Sequence, residues 1–293
     1  MGDYQKVNEH LREMHATLPR ALKVVATYLM EHPGDIATLS MRQVAANAGV
    51  SLPNFSRLAK LLGFETYGEL REIYRKQVQQ HDVSYYQLRA EHLQKANISN
   101  DNHRFWSDLQ NAVGENITTL FDSMDADLLA EAARVISDSR RVYLIGMQAS
   151  HSFAGYLNYL GGMASDKFCL IRSEGGIYAD TITDICADDA VIAVSQQPCA
   201  DATIRLGKVA HDRNATIIAI SDSPASPLAM IADHVLLTPN QSPLFFESYV
   251  SATIMIEALI GFYTLQQTPE VIERIEKIEA DRILLGEYWK DKD

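Results

Sequence analysis

The sequence predicts an all-α N-terminal helix-turn-helix domain followed by an α/β three-layer domain with a parallel five-stranded sheet. Three observations carry this. Residues 44–63, VAANAGVSLPNFSRLAKLLG, hold two short helical patterns broken at Ala48-Gly49-Val50-Ser51. Beyond residue 140, short runs of branched apolar residues alternate with helical stretches. The charge is also uneven. Residues 1–80 carry 10 Lys/Arg and 8 Asp/Glu, a net of +2, and the remainder carries 16 and 30, a net of −14. A mildly basic head on an acidic body suits a small nucleic-acid-reading domain joined to a larger one with another task.

In residues 18–32, Leu22, Val25, Ala26 and Leu29 form a helical stripe that Pro33-Gly34 ends. Ser40 is placed to cap the helix 41–47, with Gln43 as its capping-box partner. Gly49 can take a left-handed conformation and stop that helix without a Cβ clash. Ser51 is expected to cap the next helix through its side-chain oxygen. Pro53 falls in the first turn, where its missing N–H is harmless. Val44, Ala45, Ala48, Val50, Phe55 and Leu58 would let the two helices cross tightly, Ala45 because a larger side chain would hold them apart. In a helix-turn-helix the second helix enters the DNA major groove. Its candidate contacts are Ser51, Asn54, Ser56, Arg57 and Lys60, short hydrogen-bonding groups and cations suited to bases and phosphates. The same two-helix pattern also occurs as a plain packing unit; the spacing of Ala45, Gly49, Val50 and Phe55/Leu58 favours the DNA reading. Thr66 caps a further helix through about Gln80.

Residues 81–104 are the most polar part of the chain, and Asn97 to Asn102 reads as a linker. The expected division is therefore a DNA-binding domain 1–80, a linker 81–104 and an α/β domain with flanking helices 105–293. A helix over 105–124 would place Leu109, Val113, Ile117, Leu120 and Phe121 on one face, and another runs from Asp127 to about Ser137. The strand candidates are Val142–Ile145, Phe168–Ile171, Ala190–Val194, Thr216–Ile220 and Val235–Leu237. Continuous apolar runs like these belong to buried parallel strands, joined by right-handed crossovers. A last helix follows Thr268, with Ile272, Ile275, Ile278 and Ile283–Leu285 as its apolar stripe.

Ligands of such sheets bind beyond the carboxyl ends of the strands. Those ends, Gly146–Ser150, Arg172–Gly176, Ser195–Ala200 and Ser221–Ser226, are rich in Ser, Gly and Asp. The bulk numbers bound the rest. With 293 residues, two domains are expected, and a net charge of −12 argues against a protein that coats nucleic acid over its whole surface. Cys169, Cys186 and Cys199 show no disulfide or zinc spacing, and residues 1–17 are polar and charged. A cytoplasmic location is expected, with no membrane partner, metal or cofactor.

With both halves read, the chain resembles the RpiR family of bacterial regulators, a helix-turn-helix head joined to a sugar isomerase (SIS) domain. The residues that carry the resemblance are VAANAGVS and FSRLAKLLGF within 44–64, YLIGMQAS at 143–150 and IAISDSPASPLAMIAD at 218–233. It implies a regulator controlled by a sugar phosphate or related carbohydrate metabolite. SIS pockets of this kind grip phosphate at Gly-x-Gly-x-Ser after the first strand and at Ser-x-Ser-Gly-x-Thr after a later one. Here Gly146 and Ser150 match the first, with Gln148 in place of its second glycine. Of the second, Ser195 matches, while Gln197, Pro198 and Ala200 replace the other serine, the glycine and the threonine. Pro198 has no N–H and Ala200 no hydroxyl to offer. Either the ligand is not a simple phosphosugar, or Gln148, Gln197 and Thr203 supply other donors. The expected effector contacts are Gly146, Gln148, Ser150, Ser195, Gln197, Ser221 and Glu247, with Glu247 closing the pocket.

The rival reading is an aldose-ketose phosphate isomerase with an accessory helical domain. Its best base is Glu247, placed at the start of the helix after Pro243, with His151 or His211 as partner. The plainer readings are helix-terminus stabilisation by Glu247 and surface or capping roles for the histidines. A nucleotide site is disfavoured because Gly146 is not followed by a dinucleotide-binding glycine pattern. Cys199 reads as a small residue, and Tyr85-Tyr86 as packing. One recognition helix covers too little DNA for selectivity, so the expected partner is double-stranded DNA with an inverted repeat, bound by a homodimer or higher homo-oligomer.

Overall fold

The computed structural model describes residues 3–79, 85–96, 101–172 and 177–289. The chain divides into two compact units, residues 1–116 with 240–248, and residues 117–239 with 249–293.

The first unit is helical: α1 (Asp3–Met14), α2 (Arg20–Glu31), α3 (Pro33–Thr38), α4 (Met41–Ala48), α5 (Pro53–Leu61), α6 (Tyr67–Gln79), α7 (Tyr85–Ala96) and the part of α8 (Asn102–Ser123) up to Asn116. The stripe expected on α2 is the buried one. Pro33 does more than end α2: it also opens the first turn of α3. Leu11, Leu29, Ile36, Val44, Phe55, Leu58, Leu70 and Tyr74 are fully buried in this core. The capping box of α4 forms as the sequence requires, with the Gln43 N–H donating to Ser40 Oγ and the Ser40 N–H donating to Gln43 Oε1. Gly49 ends α4 at φ 67°, the left-handed region where a side chain is strained. Thr66 caps α6 by accepting the Glu69 N–H. The segment expected as a linker carries α7, which buries Tyr85 and Arg89, two residues one turn apart. Residues 80–84 and 97–100, including most of the Asn97–Asn102 cluster, lie outside the described residues.

The second unit holds α9 (Ala126–Asp138), β1 (Val142–Ile145), α10 (Ala149–Ala164), β2 (Phe168–Leu170), α11 (Ala179–Ile182), β3 (Ala190–Ser195), α12 (Asp201–Asp212), β4 (Thr216–Ser221), β5 (His234–Leu237), α13 (Val250–Gln266) and α14 (Thr268–Leu285). The five strands pair in parallel in the order β2-β1-β3-β4-β5. Alternate residues feed two cores, as the pleat requires. Leu144, Ile192, Val194, Ile218 and Ile220 join one core with α9, α10 and α13 residues, while Ile145, Val191, Ala193, Ile217 and Ala219 join the other with Leu206 and Ala210 of α12. Both faces are covered, which is why every residue of β1 and β3 is buried.

Three local expectations change. The cap of α9 is Asp125, whose Oδ1 accepts the Asp127 N–H at 2.9 Å, so the helix starts one residue before Asp127. On α8 only Leu120 of the expected face is buried, and Phe121 is 66% exposed. On α14 the buried residue is Val271, while Ile272 and Ile283–Leu285 are exposed. Helical spacing shows that apolar residues share a face but not that the chain itself covers it.

Candidate DNA-reading helix and effector site

On α5 the apolar residues turn inward and the polar ones outward. Phe55, Leu58 and Ala59 are fully buried, Asn54 and Ser56 half-buried, and Ser51, Arg57 and Lys60 exposed. Pro53 lies in the first turn. Ser51 does not cap the helix through its side chain: its Oγ accepts from the Asn54 amide at 3.0 Å, and its carbonyl takes the Asn54 N–H. Ser51 and Asn54 therefore act as a pair, with the Asn54 amide anchored at the start of the helix. An exposed pair of cations beside anchored amide and hydroxyl groups is the chemistry a DNA groove calls for.

In the α/β unit, the strand order puts the topological switch between β1 and β3. In parallel sheets of this order the ligand crevice lies beyond the carboxyl ends of those two strands. The loop after β1 is tight. A Cβ on Gly146 would lie 2.4 Å from the Ser150 carbonyl oxygen, so this position must be glycine. Gln148 follows at φ 55°, ψ −130°, a backbone conformation that glycine takes readily and glutamine does not. The sequence has replaced the residue without releasing the conformation. Ser150, buried on the first turn of α10, shares a hydrogen bond of 3.2 Å with the Tyr249 hydroxyl, whose ring stacks on Phe153 at 4.2 Å. His151 Nδ1 lies 3.2 Å from the Gly146 carbonyl, a local cap as expected.

The loop after β3 is held differently. The Gln197 N–H donates to Asp222 Oδ1 at 3.2 Å, and the Gln196 amide donates to Thr238 Oγ1 at 3.3 Å. Ser195 pairs with Ser221 across the β3–β4 ladder. Ser221 Oγ is bonded to Ser226 Oγ at 2.8 Å, so its hydroxyl serves the β4 loop itself. By contrast, Ser195 Oγ, Thr203 Oγ1 and Gln196 Oε1 are buried and have no hydrogen-bond partner. Unpaired burial of one such group costs about 1–3 kcal/mol, so the end of β3 and the first turn of α12 carry three unsatisfied polar atoms: Ser195 continues the α12-facing row of Val191 and Ala193, and Gln196 the opposite one.

Glu247 belongs to the helical unit. It lies in an irregular segment before α13, not at a helix start, and is 5% exposed. The Arg89 Nη1 donates to both its oxygens at 2.9 Å, and Tyr85 donates its hydroxyl to Oε1. Arg89 also reaches the carbonyls of Ser242, Leu244 and Phe246. All of these residues belong to the helical unit. Burial pushes the Tyr85 phenol up to about 12, so it remains a donor to the carboxylate. This role needed a partner 158 residues away, and no local sequence signal could have shown it. Gln196, Asp222 and Tyr249 were missed for the same reason. His211 is exposed near the end of α12. Among the described residues there is no cluster of three or more His, Cys, Asp or Glu placed to hold a metal ion, and no helix long and apolar enough to cross a membrane. No disulfide joins Cys169, Cys186 and Cys199.

Residues 5–81 match the rpiR-family helix-turn-helix domain, and residues 135–261 match the SIS domain. An HTH-type transcriptional regulator of Clostridium perfringens is 22% identical over 95% of this chain and 99% of its own. One of Haemophilus influenzae is 23% identical over 82% of each chain. Two solved structures share the fold. The sugar isomerase domain of an RpiR transcription factor from Sphaerobacter thermophilus matches 59% of this chain and 96% of its own, with a TM-score of 0.56 and 20% identity. The NanR protein of Vibrio vulnificus, solved with ManNAc-6P, matches 95% of this chain and 98% of its own, with a TM-score of 0.54 and 19% identity. A helix-turn-helix unit of the rpiR type, an SIS unit with its five-stranded parallel sheet, and regulators matched along nearly their whole length agree on one assignment: the chain belongs to the RpiR family of helix-turn-helix transcriptional regulators.

Proposed function

We propose that this regulator binds an inverted-repeat operator as a homodimer or higher homo-oligomer. Its operator affinity is set by a sugar phosphate or related carbohydrate metabolite held beyond the carboxyl ends of β1 and β3. Arg57 and Lys60 contact phosphate or guanine, and Asn54 and Ser56 contact base edges, with Ser51 holding Asn54. The effector lies against Ser150, Ser195 and Thr203, between the Gly146–Ser150 loop and the Gln196–Gln197 segment. The observation that carries the reading is the buried, unpartnered hydroxyls of Ser195 and Thr203 at the β3–α12 junction in a chain whose other unit holds a helix-turn-helix. A ligand rich in hydroxyls would complete their hydrogen bonds. The relative solved with a sugar phosphate makes a carbohydrate the natural class to test first.

Glu247 and Ser221 are left out of the contacts, because Arg89 and Ser226 already hold them. The isomerase reading loses its base for the same reason, so no catalytic step is assigned.

The test is selection of sheared genomic fragments on the purified chain at near-physiological salt, with and without cell metabolite extract. A few fragments sharing an inverted repeat, with recovery altered by the extract, are expected. Recovery of bulk DNA only under both conditions overturns the regulator reading.

A further inference from the structure

The chemistry around the β3 end is specific about charge. The loops after β1, β3 and β4, residues 146–151, 195–203 and 221–228, contain Asp201 and Asp222 but no Lys or Arg; His151 is bonded to its own loop. Arg172, after β2, is exposed. A phosphate dianion needs N–H groups or cations converging on it, because it only accepts hydrogen bonds. Here Pro198 has no N–H, and the Gln197 N–H is taken by the Asp222 carboxylate. Ala200, the residue before α12, offers no hydroxyl, and Asp201 in the helix's first turn is paired with Arg205 at 2.8 Å, so neither charge of that pair is committed to a ligand. The N–H groups of that turn are open to any acceptor, an uncharged one included. The unpartnered atoms are two hydroxyls, which both donate and accept, and one amide oxygen, Gln196 Oε1, which only accepts. A phosphate set against the Asp222 carboxylate would meet an acceptor, while a sugar hydroxyl can both donate to and accept from Ser195 or Thr203.

We infer that the β3–α12 loop of this chain excludes phosphate and takes the uncharged hydroxyls of a carbohydrate, with Pro198, Ala200 and Asp222 as the residues that set this specificity. The assignment of this loop to the effector rests on the regulator reading above. Its charge preference is read independently of DNA binding, through the protein's own stability.

The experiment is thermal unfolding of the full chain at matched ionic strength with inorganic phosphate, glucose 6-phosphate and N-acetylmannosamine 6-phosphate, against glucose and N-acetylmannosamine. For the wild type, neither phosphate nor either 6-phosphate is expected to raise Tm above its neutral counterpart. The triple variant Pro198→Gly/Ala200→Thr/Asp222→Asn restores an N–H, a hydroxyl and neutrality. It is expected to gain a saturable rise of about 2–4 °C with phosphate, and Thr203→Val in that background is expected to remove the gain. Asp222→Asn alone, the mildest of the changes, is expected to show the same gain at higher phosphate concentration, and it decides the matter if the triple variant does not fold. A saturable wild-type response to phosphate or a 6-phosphate, lost on Thr203→Val, overturns the inference and leaves the regulator reading standing. Folded variants as indifferent to phosphate as the wild type overturn it too. A chain that ignores phosphate and selects no operator keeps the inference about charge and removes the regulator reading.

Discussion

The two units hold their most telling buried polar groups differently. In the helical unit, buried guanidinium groups are held by protein atoms. Arg71 donates to the carbonyls of Ile36 and Leu39, Arg75 donates to that of Ala37 and pairs with Glu72, and Arg89 binds Glu247 and four carbonyls. In the α/β unit, Ser195, Gln196 and Thr203 keep buried oxygens without partners at the strand end where ligands of such sheets sit. The helical unit also has buried oxygens without partners, Asn8 Oδ1 and the Tyr67 and Tyr74 hydroxyls, but these lie on its own helices and not at a strand end. Satisfied polarity fixes a structure, and unsatisfied polarity at a strand end marks where something else completes it.

The largest expected effect tests the satisfied side. Arg89→Ala leaves the Glu247 carboxylate without its cation, with the Tyr85 hydroxyl still donating to it, and the carbonyls of Thr38, Ser242, Leu244 and Phe246 without this donor, in a site 5% exposed or less at the ion pair. Removing one partner of a buried pair costs about 3–5 kcal/mol. Chemical denaturation should read a loss of that size for Arg89→Ala. Ser195→Ala and Thr203→Val, which delete hydroxyls with no partner to lose, should be as stable as the wild type or more stable, by up to about 1–3 kcal/mol. Equal losses at Arg89 and Thr203 would erase the contrast between the units.

The next effect concerns the exposed cations of α5. Arg57→Ala should weaken operator binding by about 1–3 kcal/mol, roughly 5- to 150-fold, if the guanidinium reads a base in bidentate fashion. Lys60→Ala should weaken all sequences alike and lower the salt dependence by about one counterion. Binding isotherms on operator and on unrelated DNA, each at two salt concentrations, separate the two roles. Unchanged operator affinity in Arg57→Ala removes that residue from the interface.

Gln148 offers a smaller effect of opposite sign. Its φ of 55° is one that glycine adopts freely. Gln148→Gly should therefore raise stability by about 1 kcal/mol, the low end of the cost of such a strained backbone. A destabilised Gln148→Gly protein would mean that the glutamine side chain holds the loop after β1 by contacts worth more than the strain.

The legibility of the molecule follows the same division. The recognition unit was readable because its determinants are local. Ser40 and Gln43, Gly49, Pro53, and Phe55 with Leu58 interact within a few residues of one another, and sequence spacing is then nearly spatial spacing. The strands were readable because burial on both faces leaves continuous apolar runs. The site was only half readable. Its loops are fixed by the strand ends, and the sheet order brings Ser195 beside Ser221. The residues that decide its chemistry meet across long stretches of chain: Gln197 with Asp222, Gln196 with Thr238, Ser150 with Tyr249. The partner of Glu247 was unreadable for the same reason, since a carboxylate expected at a helix start gives no sign of Arg89, 158 residues away. The exposed Ile283–Leu285 cluster shows the complementary limit, because periodicity alone does not reveal what covers an apolar face.

The smallest expected effect is a pH dependence at one ion pair of the helical unit. Asp35 lies 3.1 Å from His92 Nε2 and accepts the Tyr28 hydroxyl. The hydrogen bond with His92, outweighing partial burial, holds its carboxyl below the usual aspartate range. A depressed native value means that the unfolded chain binds the proton more readily. This contribution is therefore fully present above the ordinary aspartate value of about 3.9 and is lost as pH falls through the lower native one. Asp35→Asn should be less stable than the wild type at pH 6, and the gap should close as pH falls below about 4. The hydroxyls and amides at the β3 end do not titrate in this range, so the difference between wild type and Thr203→Val should stay flat over the same interval. Denaturation series of the three proteins from pH 6 to 3 compare the two directly. A gap for Asp35→Asn that does not narrow would show that Asp35 supports α3 as a packed polar group, with no linkage between its charge and folding.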